Sequence, residues 1–125
     1  MMSLCEYIHP RVISRGTYTF ELGIIIGFWL TACRCRELET RDKAIAMMHM
    51  AEFREGLWDT SVSYVYGKLT RDAEEVGRDE DGELPEHKRL FPTCAFVDIV
   101  GRRMILGHIR KGLEGVELME MYHQW

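Results

Sequence analysis

The sequence predicts an α+β fold, a layered α/β arrangement in which a β-sheet or two-sheet core is flanked by two helices. Three observations predict it. Residues 17–36 are dense in β-branched and aromatic side chains, the composition of strands. Val62, Val65, Tyr66, Leu69, Ala73 and Val76 recur at helical spacing. Residues 93–100 form a further apolar run that stops at Gly101.

The elements follow in order. Tyr7, Ile8, Val12 and Ile13 are candidates for an early strand. The stretch 17–36 reads as strand, with Gly23 and Gly27 marking a turn, a bulge or a close backbone approach. Residues 43–53 are apolar and fit either a second buried strand or a short helix, since so short a run has no decisive period. Asp59 and Thr60 offer an N-cap for a helix over 62–76, and Gly77 offers its stop. Residues 77–89 are polar and acidic and contain Pro85, which predicts a mobile loop. The strand over 93–100 comes next. Residues 102–112 then read as a helix with Ile105, Leu106 and Ile109 inward, although Gly107 weakens it. A last strand is expected over 116–122.

At 125 residues the chain is expected to be one domain, 1–125. Its hydrophobic fraction of 46% and charged fraction of 29% are those of a globule, which excludes wholesale disorder. A net charge of −4 argues against nucleic acid as a partner, because a general binder presents a basic face. The most apolar segment, 22–35, is too short to span a bilayer, so no membrane insertion is expected. The first residues lack a basic start, a long apolar run and a small-residue cleavage site. A cytoplasmic location with reduced thiols at Cys5, Cys33, Cys35 and Cys94 is therefore expected.

The order of elements, with its local residues, resembles the chemoreceptor glutamine deamidase (CheD) family, whose fold is shared with deamidase toxins of the cytotoxic necrotizing factor type. Thr19-Phe20-Glu21-Leu22-Gly23 is similar to the family segment in which a threonine precedes a Leu-Gly-Ser-Cys turn. Ala46-Met47-Met48-His49 is similar to the strand carrying the family's histidine base. Trp58–Val62 resembles the opening of its next helix, and Phe96–Gly101 its strand ending in Gly-Gly, with one glycine here. The resemblance implies a deamidase-like fold in which Thr19 and His49 are catalytic and residue 25 is the nucleophile. Here that position is Ile25, in place of cysteine.

Amide hydrolysis by that route needs a thiolate, a histidine to generate it and backbone donors for the oxyanion. Isoleucine supplies none of these. The leading expectation is therefore a pseudoenzyme, a non-catalytic deamidase-like domain that binds another protein, such as a chemotaxis-related receptor or signalling protein. A thiol-dependent glutamine deamidase or amidohydrolase using Cys33 or Cys35 with His49 is the alternative, and a small self-associating scaffold is the third. No cofactor is expected. Metal is not expected either, because Cys33-Arg34-Cys35 lacks the usual two-residue spacer and buried cysteine is a common small hydrophobe.

The same residues have plainer readings. His49 fits a hydrogen-bonded core or edge histidine, Thr19 ordinary strand composition, and Cys94 the core. The eight methionines, clustered at 47–50 and 119–121, suit a plastic core or an adaptable contact surface. Candidate partner contacts are Asp79, Glu80 and Asp81 in the acidic loop and Trp125 in the aromatic tail. That tail packs either on its own domain or on a partner.

Overall fold

The computed structural model describes residues 17–19, 24–50, 53–55 and 58–125. The early strand expected around Tyr7–Ile13, together with Cys5 and Gly23, lies outside the described residues. By internal packing the chain divides into two units, residues 1–68 and 69–125.

The first unit contains β1 (Thr17–Thr19), α1 (Ile24–Arg34), α2 (Leu38–His49), β2 (Phe53–Glu55), β3 (Trp58–Asp59) and the start of α3 (Thr60–Glu75). Its sheet has the order β1-β2-β3, with β1 and β2 parallel and β2 and β3 antiparallel. Of the strand expected over 17–36, residues 17–19 are strand and residues 24–34 are a helix. The reason is periodicity. Ile25, Phe28 and Ala32 fall at i, i+3 and i+7, and all three are buried. Burial of that stripe outweighs the modest helix penalty of three consecutive isoleucines. Thr31 fits the buried side because its hydroxyl donates back to the Gly27 carbonyl at 2.8 Å.

Within the open stretch 43–53, residues 43–49 are helix and Phe53 begins β2. In α2 the stripe is Arg41, Ala44, Ile45 and Met48, again helical in period. Phe28, Ala32, Ala44, Ile45 and Met48 form the core of this unit. Only residues 35–37 join α1 to α2, so the two helices run antiparallel. Arg41 confirms the register: its Nε donates to the Ala32 carbonyl at 2.9 Å, in the last turn of α1. Tyr66 joins an aromatic group in which the rings of Trp29 and Trp58 lie 5.1 Å apart and those of Trp29 and Tyr66 meet edge-on at 5.8 Å.

The expected helix is α3, and its start is set as its sequence indicates. The Asp59 carboxylate accepts the backbone N–H groups of Ser61 and Val62 at 2.8 and 3.3 Å. Its end falls at Glu75, and the N–H of Gly77 closes onto the Glu74 carbonyl at 2.9 Å. The buried side differs from the expected one. Thr60, Ser63, Tyr66, Gly67, Thr70 and Glu74 face inward, whereas Val76 is exposed.

The second unit holds the end of α3, a single 3-10 turn (Glu86–Lys88), and strands β4 (Phe91–Asp98), β5 (Arg103–Gly112) and β6 (Gly115–Gln124). The strands form an antiparallel meander ordered β4-β5-β6. The helix expected over 102–112 is therefore a strand. Met104, Leu106 and His108 are buried in alternation, and a period of two fits this segment better than a helical one once His108 is counted as inward. Gly107 is helix-unfavourable and accommodates the Thr93 and Cys94 side chains at a bulge in β4. Gly115, at φ +142°, closes the β5–β6 hairpin in a conformation that favours glycine.

The segment 77–89 has more internal order than its composition predicts. Asp79 accepts the N–H of Glu83 at 2.8 Å, and its own N–H reaches the Glu83 carbonyl at 2.9 Å. Arg78 donates to the Gly82 carbonyl at 2.7 Å and forks onto Glu75 at 2.6–2.7 Å. Leu84 and Leu90 anchor either side of the 3-10 turn in buried positions.

The class is α+β, as the sequence predicts. The described residues contain three helices rather than two, and two small sheets. No helix among them is long and apolar enough to cross a membrane.

Candidate functional site

The residues singled out in the sequence are dispersed. Ile25 is fully buried in α1, as a core side chain. Thr19 ends β1. His49 is the last residue of α2, exposed, with its ring centroid 4.5 Å from that of Tyr64. Cys33 is fully buried near the end of α1, and Cys35 follows the helix at a half-buried position. Cys33, Cys35 and Cys94 are in the thiol form.

The helical hairpin separates these thiols from the imidazole. Ala32 sits beside Arg41, and His49 lies eight residues further along α2, about 12 Å at ~1.5 Å per residue. The thiols are at the connection end of the hairpin and the histidine is at the other. Residues 24–25 and 46–49, which the deamidase resemblance places on a turn and a strand, belong to helices. An open depression along α2 is walled by Leu38, Glu39, Asp42, Lys43 and Ala46, all from that one helix. A single helix surface gives no opposing groups for substrate. Among the described residues no three His, Cys, Asp or Glu side chains gather as a metal-binding set.

In the acidic loop Asp79 acts as a turn staple, while Glu80 and Asp81 are exposed. Trp125 continues the meander: its N–H donates to the Arg102 carbonyl at 3.1 Å. Its ring stacks at 6.5 Å on His123 and stays 49% exposed. Cys94, expected in the core, is exposed at the β4 bulge.

The largest feature that sequence reasoning missed is the outer face of β4–β6. Residues directly opposite on antiparallel strands share a face. The register therefore sets Phe96, Ile105 and Tyr122 in one row, and Phe91, Ile109 and Leu118 in another. Between them lies the row Cys94, Gly107 and Glu120. Phe96 is 61%, Tyr122 69% and Leu118 82% exposed, and Val116 beyond them is also open to solvent. The opposite face carries the buried Met104, Leu106 and His108. The alternation of Val116, Leu118, Glu120 and Tyr122 was the available signal. That alternation acquires a register only through β5, which lies between β4 and β6.

One charge stands between the two apolar rows of this face, and Lys111 lies beyond them opposite Val116. Glu120 accepts a hydrogen bond from the Tyr122 hydroxyl at 2.7 Å, which pushes the phenol pKa upward. At the rim, Arg103 donates to Asp98 at 2.9 Å. Gly101 N–H, with Arg103 second, holds the Asp98 carboxyl below its ordinary range. On the opposite face Arg110 pairs with Glu117 at 2.6 Å. Among the described residues no lysine or arginine pairs with Glu120.

The fold and this face define an α+β chain with an open, largely apolar sheet surface. No family model matches the chain, and no solved structure matches it. It is similar to the aspercryptin biosynthesis cluster-specific transcription regulator atnN of Emericella nidulans, at 28% identity over 120 residues. The alignment covers 91% of this chain and 19% of the regulator, so the chain spans about a fifth of that relative's length.

Proposed function

We propose that this chain is a non-catalytic protein-binding domain that works through the outer face of β4–β6. The observation that carries the proposal is the two-row apolar surface of Phe96, Leu118 and Tyr122, each more than half exposed. Clustered apolar side chains on a sheet face gain free energy when another protein covers them, by about 25 cal/mol for each Å² removed from water. Separation of Cys33 and Cys35 from His49 favours this reading over a thiol hydrolase. It stands independently of the deamidase resemblance.

The similarity to a stretch of a transcription regulator suggests a setting. The domain would serve gene regulation through contacts with protein. Its net charge of −4 disfavours a direct contact with the DNA phosphates.

Proteins retained from native extract by the wild-type chain test the proposal when compared with those retained by Leu118→Asp and Phe96→Asp. Both substitutions alter exposed positions, and melting temperatures equal to wild type verify the fold. Specific partners are expected to be lost with either sheet variant and kept by Glu39→Lys on α2. Retention of the same partners by both sheet variants would overturn it.

A further inference from the structure

We infer that the partner is a helical segment carrying a lysine or arginine midway between two apolar side chains, and that Glu120 receives this cation. The inference rests on the docking reading above and deepens it by naming the partner's chemistry.

The geometry comes from the register. Leu118 and Tyr122 lie two residues to either side of Glu120 on β6, so their rows are about 13 Å apart at ~3.4 Å per residue. A helix lying along the strands covers about 12 Å in eight residues at ~1.5 Å each. Apolar residues at i and i+8 would then meet the two rows, with i+4 above the Glu120 row. Three strands at ~4.8 Å spacing are about 10 Å across, the width of one helix. In the middle row the Thr93 and Cys94 side chains fill the space over Gly107, and Glu120 stands at the other end of that row.

Charge selects the residue at i+4. Covering this face removes water from Glu120. Its present partner is a neutral phenol, and among the described residues no basic side chain pairs with it. A carboxylate dried without a counter-charge opposes binding, whereas a cation delivered by the partner offsets that cost. A second copy docked face to face about a two-fold axis running along this row would bring two Glu120 carboxylates together, which disfavours self-association in that arrangement.

The test uses the 125-residue chain and a phage-displayed library of helical 16-residue peptides, with affinities of the enriched peptides measured by fluorescence anisotropy. Enriched sequences are expected to carry Lys or Arg at i+4 between apolar residues at i and i+7 or i+8. Their affinity should fall about tenfold for Glu120→Gln, and at least as much for Leu118→Asp, with Glu39→Gln unchanged. Equal melting temperatures for the three variants verify the fold. Peptides that lack the basic residue or ignore Glu120→Gln, yet are lost with Leu118→Asp, would overturn the cation while leaving the docking face intact. Enrichment of an i, i+2, i+4 extended pattern would overturn the helix. Peptides indifferent to both sheet variants would overturn the inference and the docking face together. Concentration-dependent dimerisation abolished by Leu118→Asp would show that a second copy takes the face.

Discussion

The Thr70 hydroxyl and Nε2 of His108 lie 2.7 Å apart, and both residues are buried, so α3 and β5 are joined through a polar contact inside the second unit. Burial pushes the imidazole pKa down, against a smaller upward pull from the Leu106 backbone. The unfolded chain has no such burial and takes up the proton at its ordinary pKa, near ~6.5. Below that value the unfolded state binds more protons than the folded state, so stability falls as pH falls. Melting temperature is expected to be level above about pH 7 and to decline from about pH 6.5 downward. His108→Gln, which keeps a side-chain partner for Thr70, should flatten this decline. An unchanged slope in the variant would refute the assignment to His108.

A second buried polar link holds the segment before β4. Oε1 of the fully buried Glu74 accepts the Leu90 N–H at 2.7 Å, across sixteen residues of sequence. Glu74→Ala leaves that amide without its acceptor and should cost about 2–3 kcal/mol. Glu74→Gln retains a carbonyl acceptor and should cost less. Hydrogen exchange reads the difference directly: the Leu90 amide should exchange faster in the alanine variant, with proteolytic cleavage in 77–83 rising in parallel. Protection at Leu90 equal to wild type would remove Glu74 from this role.

Gly67 permits the close approach of α3 to α1. A Cβ built on it would lie 2.8 Å from the Cβ of Ala32. Glycine within a helix ordinarily costs up to ~1 kcal/mol relative to alanine, so propensity alone favours Gly67→Ala. The clash reverses the sign, because the opposing atom is fixed to its backbone and cannot rotate away. Overpacking costs about 1–3 kcal/mol, so Gly67→Ala is expected to give a net loss of up to about 2 kcal/mol in denaturant unfolding. Ala32→Gly in the same chain should recover part of it, as a positive coupling in a double-mutant cycle. A stabilising Gly67→Ala would mean that the helices part without strain.

The legible parts of this fold were those decided by local chemistry. Asp59 caps α3 and Gly77 ends it because both signals act within a few residues. The α+β class and β4 were likewise readable from composition and punctuation. In α1 the buried stripe of Ile25, Phe28 and Ala32 is interleaved with Ile26, Trp29 and Leu30, which hides the helical period behind an apolar run. In β5 the spacing of Ile105, Leu106 and Ile109 mimics a helix, and the burial of His108 depends on a partner 38 residues earlier in the chain. The inward side of α3 was missed for the same reason: Thr70 and Glu74 are buried against groups distant in sequence. Reading β5 as a helix then removed the strand that gives β4 and β6 their register, and with it the outer face.

Thiol reactivity separates the binding reading from a hydrolase. An activated cysteine needs access and a nearby base that stabilises its thiolate. Cys33 has no exposed surface, Cys35 is half-buried, and His49 is at the far end of the hairpin from both. Cys94 is exposed on β4. Iodoacetamide labelling followed by peptide mapping should therefore run in the order Cys94, Cys35, Cys33, with Cys33 modified only as the first unit opens. His49→Ala should leave all three rates unchanged. Labelling of Cys33 or Cys35 ahead of Cys94, slowed by His49→Ala, would require that imidazole to reach the thiol in solution and would restore the hydrolase.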